Sequence, residues 1–541
     1  MSFYFYFISF IFLAYSQTNS IKEWRVIDSL EIIGQYKSAD KKLDTLLKRS
    51  KHTLSDLTKV HLYKLKYIKK LKKDPIAHIQ TYLKRAIKHS KKPIKNILHS
   101  LLAEEYATHR HWAYGATTSI PDTNDIDTWD YKTFQSEAEK HYLLSLKLSP
   151  NQNIKTDRLR DILITSKNTN IHRPYLSDLL AHRLLDFYSD KIKTNQLSGI
   201  ELESFYQPTD QFLIRNLIQK SSIFVRAMSV YQQLLRRHLK SPTEFLDIEL
   251  KRLTFLYHLN KETHALFFKQ LDILQPKYIQ DTHINRILFH KASVMYSHPS
   301  TYSKKESLVL VNKILKQGKY ATDYTNALHL KEHILQKELT IDTESVNPPN
   351  RPYLAKVSYR NIDTVFFFIS PLTKSLKQYL KNNRYTNDIE YFKNLTYKDT
   401  IRYPLYNYHD YEKHSQLISL PKQAVGEYLI VASLNDSIND IVTKNVIQFS
   451  NLSYISRSKD RTLEIEVRDR TSGKYIKDAT IDVYHYTGEY NRVRKHYKSF
   501  KTDSYGKIVF SHNKPLEFNV IFQNDTLSSS RLYLSGPYEY S

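Results

Sequence analysis

The chain is 541 residues long and carries 81 Lys and Arg against 55 Asp and Glu, a formal net charge of +26. Single cores rarely grow past roughly 250–300 residues, so this length implies several domains, and 41% hydrophobic residues exclude wholesale disorder. The absence of cysteine excludes disulfides, thiolate metal sites, cysteine nucleophiles and an acylated N-terminal cysteine.

The positive charge permits binding to nucleic acid, anionic lipid or anionic polysaccharide. It is spread, however, through a chain rich in Lys, Ile, Asn and Tyr and holding only nine glycines. The lysines recur at helical spacings that fit solvated faces. No basic arm, zinc finger or aromatic–basic platform accompanies them, so the excess is read as compositional and nucleic acid is not expected as a partner.

In chain order, residues 3–15 (FYFYFISFIFLAY) form an apolar run, and Ala14 and Ser16 fit a small-residue cleavage site before Gln17. The run falls short of the ~20 residues of a membrane span, so residues 1–16 are expected to be an export signal, although no Lys or Arg precedes them; the alternative is an N-terminal membrane anchor or buried helix. A helical domain is expected over 17–340. Trp24, Ile27, Leu30 and Ile33 lie at i, i+3 spacing, and Gly34 then breaks the run as a helix-ending glycine does. A second helix passes through Tyr36, Ala39, Leu43, Leu46 and Leu47, and the two stripes bury each other as an antiparallel pair. The stretch GQYKSADKKLDTLLK resembles the turn and second helix of a tetratricopeptide-like unit. No regular period continues it, so irregular helical pairs are expected. Further amphipathic helices are predicted over 54–72, 75–89, 93–110, 131–147, 221–239, 244–258, 275–297, 302–317 and 322–338.

Residues 341–352 (IDTESVNPPNRP) read as a linker. Beyond it the hydrophobic period changes from 3.6 to 2. Tyr353, Ala355, Val357 and Tyr359 alternate with Leu354, Lys356, Ser358 and Arg360, and TVFFFI at 364–369 reads as a buried strand. EYLIVASL at 427–434 and residues 442–449 follow as strands. In the last segment Leu463, Ile465 and Val467 oppose Thr462, Glu464, Glu466 and Arg468. A Thr-Ser-Gly turn leads to Ile481 and Val483, and a second polar turn ends at Gly506. Five of the nine glycines fall after residue 420, where strands need turns. Two β-sandwiches are expected, 353–450 and 451–541, the second either whole or truncated.

Chemistry-bearing motifs are scarce. The chain holds no HExxH helix, GxSxG elbow, phosphate-binding loop or GxGxxG fingerprint. His109-Arg-His-Trp112 does not converge on a metal, because helical residues two apart point away from each other. Asp122-Thr-Asn-Asp-Ile-Asp127 lacks the central glycine and closing glutamate of a calcium loop. It reads as a capping loop in which Asp127 or Thr128 starts the next helix. No catalytic, cofactor-binding or metal residue is nominated, and no enzyme is expected.

Several segments together resemble the large alpha-2-macroglobulin-like proteins of Bacteroidetes-type bacteria, here their N-terminal portion. IKEWRVIDSLEIIGQYKSADKKLDTLLKRS is similar to the family's opening helical pair. So is the D-I-x-T-W-D loop (Asp125, Ile126, Thr128, Trp129, Asp130) with the helix that leads to Tyr142-Leu-Leu-Ser-Leu146. RPYLAKVSYRNIDTVFFFIS and LPKQAVGEYLIVASLN resemble the first macroglobulin domain. LSYISRSKDRTLEIEVRDRTSGKYIKDATIDVY resembles the next one, with Tyr475 in place of the usual Pro and Asp478 in place of the usual Gly. The resemblance implies immunoglobulin-like macroglobulin sandwiches behind the helical domain and an exported protein of the periplasm or cell surface. It also implies endopeptidase inhibition through a bait segment and, in many members, a Cys-x-Glu-Gln thioester. The thioester has no cysteine here, and no bait segment is assignable. The implied partners are a peptidase, an envelope protein, or further macroglobulin domains on another chain. The alternative is a helical-repeat chain with immunoglobulin-like or carboxypeptidase-regulatory-like modules that bind an envelope protein or a glycan.

Overall fold

The computed structural model describes residues 21–48, 53–109, 125–147, 154–163, 173–192, 202–217, 222–383, 389–440, 442–459, 462–487, 493–511 and 516–529. The expected export signal at 1–16 lies outside them. Among the described residues no helix is long and apolar enough to cross a membrane. The chain forms two compact units, Met1–Ile287 and Leu288–Ser541. A helical region is followed by β-sandwiches.

The first unit is helical. It contains α1 (Ile21–Ile32), α2 (Tyr36–Leu47), α3 (Leu54–Leu71), α4 (Pro75–His89), α5 (Ile94–Thr108), α6 (Tyr131–Ser145), α7 (Leu176–Lys191), α8 (Thr209–Ile214), α9 (Ile223–Arg237), α10 (Pro242–Leu259) and α11 (His264–Leu274). Gly34 ends α1 at φ +75°. Its N–H donates to Glu31 O and that of Gln35 to Leu30 O, the paired bonds of a Schellman stop. Trp24 and Ile27 then pack on Ala39, Leu43 and Leu46 of α2 and on Val60, Tyr63 and Tyr67 of α3. Ile33, which spacing puts on this stripe, is 65% exposed, because it lies past the last turn where the chain reverses.

The expected helix over 275–297 is two pieces. Gln275–Tyr278 is a 3-10 turn opened by Pro276, and α12 (Ile284–Ser297) begins only after Asp281 Oδ1 has accepted the His283 N–H at 2.8 Å. Proline lacks the N–H that would continue α11 through this point. Helices α7 and α11 were not marked by a clear sequence period. α7 is buried on a broad face, which blurs the one-stripe pattern of a surface helix, whereas α11 is short and its single stripe of Phe267, Gln270, Leu271 and Leu274 includes a polar residue.

In the second unit, α13 (Lys304–Leu315) and α14 (Tyr324–Leu335) precede the strands. Residues 341–352 are not a free linker, because β1 (Glu338–Thr343) and β2 (Val346–Asn347) lie there. β1 pairs antiparallel with β3 (Tyr353–Arg360), and β2 pairs parallel with β8 (Val442–Phe449). The prolines that suggested a break come after these strands.

The first sandwich stacks β1-β3-β6 on β2-β8-β7-β4-β5, with β4 (Thr364–Pro371), β5 (Asp399–Pro404), β6 (His414–Leu420) and β7 (Gly426–Ser433). The alternation read in β3 holds for the core face, since Tyr353, Ala355, Val357 and Tyr359 are all buried. Arg360 departs from the wet face and is buried, with its guanidinium 2.8 Å from Glu338. The apolar runs of β4 and β7 have a further cause. Val365, Phe367, Ile369, Tyr428, Ile430 and Ala432 face the sandwich core. Phe368, Leu429 and Val431 face a second core with Leu376 of α15 (Lys374–Asn382) and Phe392 of α16 (Ile389–Lys393). A strand covered on both faces reads as a continuous apolar run.

The second sandwich stacks β13-β10-β9 on β12-β11-β14-β15, with β9 (Leu452–Lys459), β10 (Thr462–Asp469), β11 (Thr480–Thr487), β12 (Val493–Lys501), β13 (Lys507–Ser511), β14 (Leu516–Phe522) and β15 (Asp525–Ser528). Leu463, Ile465, Val467, Ile481 and Val483 meet Phe518 and Val520 in its core.

Candidate functional site

Of the His109–Trp112 cluster only His109 is described, and its ring centroid lies 4.7 Å from that of Phe134. Arg110, His111 and Trp112 lie outside the described residues, as do Asp122, Thr123 and Asn124. The capping role falls elsewhere than expected. Asp125 accepts the Asp127 N–H at 3.1 Å to start a short 3-10 turn. Asp130, not Asp127 or Thr128, caps α6 by accepting the Thr133 N–H at 2.7 Å. Between the two caps Trp129 is fully buried, its ring centroid 5.3 Å from those of Tyr106 and Phe134. The loop is a packing device that pins α5 to α6.

The first unit also buries ionic groups. Arg252 and Glu249 of α10 are 0% and 1% exposed at the side chain and meet at 2.5 Å. Arg252 further donates to Phe205 O at 2.7 Å, and Glu249 accepts from Thr209 Oγ1 at 2.9 Å. Asp178 accepts from His238 Nε2 at 3.1 Å and from Arg237 at 3.2 Å. His99 and His141 share one Nδ1–Nδ1 hydrogen bond of 2.8 Å. Among the described residues no group of three or more His, Cys, Asp or Glu is placed to hold a metal ion. These pairs staple helices.

The Thr-Ser-Gly turn is built by Asp469. Its Oδ1 accepts the N–H of Thr471 at 3.2 Å and of Ser472 at 2.7 Å, and Gly473 closes the turn at φ +70°. These bonds, the Ser472 amide first, hold the Asp469 carboxyl below its ordinary range. On the adjoining sheet face, Glu466 is only 2% exposed although its alternation puts it outward. Arg468 at 2.6 Å, Arg457 at 3.4 Å and Lys507 at 3.6 Å lie across its carboxylate. Glu466 is therefore covered by long side chains on the sheet surface and not by the core. The Arg468 hydrogen bond keeps its carboxyl below the usual range. Each of these three cations faces an anion, so the face offers no phosphate-binding patch.

Two residues of these turns carry distinct expectations. Gly506 has φ +68°, and a Cβ there would stand 2.4 Å from the carbonyl oxygen of Val467 in β10. Gly506→Ala should cost roughly 3 kcal/mol, read as a lower urea midpoint for the second unit. Asp478 stands at φ +62°, the conformation glycine adopts without strain. Asp478→Gly should raise stability by about 0.5–1 kcal/mol in the same titration.

The most organised polar feature of the second unit is the joint between its sandwiches. Ser450 Oγ donates to Asp525 Oδ1 at 2.8 Å and the Asn451 N–H to Asp525 Oδ2 at 2.7 Å. Arg470 donates to Ser450 O at 3.1 Å and to Leu452 O at 2.7 Å. The Gln448 amide donates to Thr526 O and accepts the Ser528 N–H, the two bonds a neighbouring strand would give β15. A cleft of about 360 Å³ beside the joint is lined by Glu427, Gln448, Tyr454, Arg470 and several serines. The joint residues come from the ends of β8, β10 and β14–β15. Sequence pattern alone does not reveal such a convergence of short polar side chains. The arrangement fixes one sandwich against the next.

No family model matches the chain, and no curated protein matches it. Among solved structures, native alpha-2-macroglobulin from Escherichia coli spanning domains MG0-NIE-MG1 aligns with 37% of this chain and 64% of its own, at 15% identity and TM-score 0.29. The NIE-MG1 form of the same protein aligns with 36% of this chain and 95% of its own, at 15% identity and TM-score 0.26. Salmonella alpha-2-macroglobulin mutant Y1175G aligns with 35% of this chain and 12% of its own, at 11% identity and TM-score 0.23. The match therefore spans less than two thirds of the first of these and a small part of the last.

Proposed function

We propose that the chain is an exported, non-enzymatic scaffold portion of an alpha-2-macroglobulin-like protein of the Bacteroidetes type. It consists of a signal at 1–16, a helical domain to about residue 340 and two macroglobulin-type sandwiches. It works in the periplasm or at the cell surface, where it contributes to endopeptidase restraint together with macroglobulin-type bait and trapping domains. The helical domain docks an envelope partner, and the jointed sandwiches set the spacing between that partner and the trapping domains.

The order of the segments carries this reading. The opening helical pair, the D-I-x-T-W-D loop, the Leu-Pro-turn-Gly-x-Tyr edge and the T-S-G turn follow one another along the chain in the order the resemblance implies. Their packing supports it. Trp129 is the buried pin of its loop, and Tyr428, two residues after Gly426, enters the first sandwich core with its ring centroid 5.5 Å from that of Phe449.

The test is peptidase activity on a protein substrate, measured with the full chain alone, with the envelope polypeptide that co-purifies with it, and with both. The reading expects restraint only when both are present. Restraint by the chain alone, or none with both, contradicts it.

A further inference from the structure

The loop from Leu405 to Lys413, between β5 and β6, presents aromatic rings to solvent and holds them still. Tyr406 is 67% exposed and Tyr408 54% exposed. Their ring centroids lie 4.5 Å apart at 78°, and Tyr408 stacks on His414 at 4.1 Å and 25°. His414 is fixed in turn, donating from Nε2 to Asp410 at 2.9 Å. The Tyr359 hydroxyl donates to Tyr406 O at 2.8 Å, and Asn407 Oδ1 accepts the His409 N–H at 3.0 Å. Lys304 of α13 anchors the far side through Glu412 at 2.7 Å.

The backbone is held in an unfavourable form to achieve this. His409 and Tyr411 stand at φ +53° and +64°, a region histidine enters more readily than most but where a tyrosine is rare. Such outliers persist only where the surroundings over-determine them, and they cluster at binding sites. The two rings adjoin and form one contiguous exposed surface on a held loop, the kind of surface that marks a binding site.

We infer that this loop is a binding platform for a neutral saccharide chain. Its apolar exposed surface is aromatic, because Leu405 points into the core. Every other side chain of the loop carries a hydrogen-bonding tip: Asn407, His409, Asp410, Tyr411, Glu412 and Lys413. A sugar ring offers the matching surface, a flat C–H face rimmed by hydroxyls. Asp410 is paired with His414 and Glu412 with Lys304, so neither carboxylate is left to select a cationic ligand. Tyrosine provides large contact area at low ordering cost, and the fixed loop has already met the rest of that cost in folding. The platform stands on its own geometry, whether or not the macroglobulin reading holds.

The test is affinity electrophoresis of the full chain through gels containing soluble dextran, laminarin or galactomannan. These probes are neutral, so the +26 charge does not mimic binding. Retardation is expected in at least one gel and should persist at high salt. The double variant Tyr406→Ala/Tyr408→Ala should bind about tenfold more weakly. Tyr406→Phe/Tyr408→Phe should keep most of the affinity, because the ring face carries it. Addition of the retained polysaccharide should also perturb the tyrosine ultraviolet absorbance of the wild-type chain, a readout that needs no variant to fold. Absence of retardation in every gel, or retardation unchanged in the alanine variant, would overturn the proposal. So would binding of a proline-rich peptide in place of all three polysaccharides, which would assign the loop to a protein ligand.

Discussion

Acidifying the protein from pH 7 to pH 5 should lower the stability of the helical unit by about 2 kcal/mol for each of His61, His99 and His141. All three are buried, and desolvation pushes their pKa values down from 6.5, to about 4 for His61 and His99 and about 3 for His141. Positive neighbours add to the effect, Lys95 at His99 and, after His99 itself, Lys140 and Lys84 at His141. His182 is shifted in the same direction by burial and then by Arg173, Lys251 and His238. Above pH 6.5 these rings are neutral in both states, so stability is full there. Below it the unfolded chain takes up protons that the folded chain refuses, and stability falls until the pH reaches the folded values. Every fully buried histidine among the described residues lies in the first unit. Urea titrations followed by helical circular dichroism at pH 7, 6 and 5 should therefore show the helical transition moving to lower urea. An unchanged midpoint would mean that the rings are hydrated or charged in the native state.

The second large effect is expected at Arg252. Replacing it by Met leaves the Glu249 carboxylate buried without its cation and frees the carbonyls of Phe205 and Gln207, which Arg252 now caps. Breaking a buried pair from one side costs about 3–5 kcal/mol, more than the intact pair contributes. Arg252→Met should destabilise the first unit by that amount in denaturant titration. Arg252→Met combined with Glu249→Leu should recover a large part of it, because no charge is then stranded. The recovery stays partial, since the two carbonyls remain uncapped and Thr209 loses its acceptor. If the double variant is no more stable than the single one, the stranded carboxylate is not the cause.

These two effects mark where the sequence was readable and where it was not. The two-residue period of β3 and the apolar runs of β4 and β7 were legible because burial on one or both faces writes itself into residue order. Gly34 and the Thr-Ser-Gly turn were legible because only a few residue types adopt those conformations. Glu249 and Arg252, by contrast, sit at i and i+3 on a charged helix and read as an ordinary solvated pair. Their burial comes from residues 205–212 folding over them. The joint was hidden for the same reason, with Gln448 reaching Thr526 across 78 residues. The strands at 338–347 were obscured by nearby prolines that signal a break just beyond them. The aromatic loop was also passed over, since a Tyr-rich stretch does not stand out in a chain with 42 tyrosines.

The central claim is that the chain is an exported scaffold that works together with further macroglobulin-type domains. Mass spectrometry of the native complex purified from the envelope of the producing cell tests it most directly. The account predicts a mature chain beginning at Gln17, together with further sandwich domains. Recovery of the chain alone from the cytoplasm, with residues 1–16 intact, would contradict it.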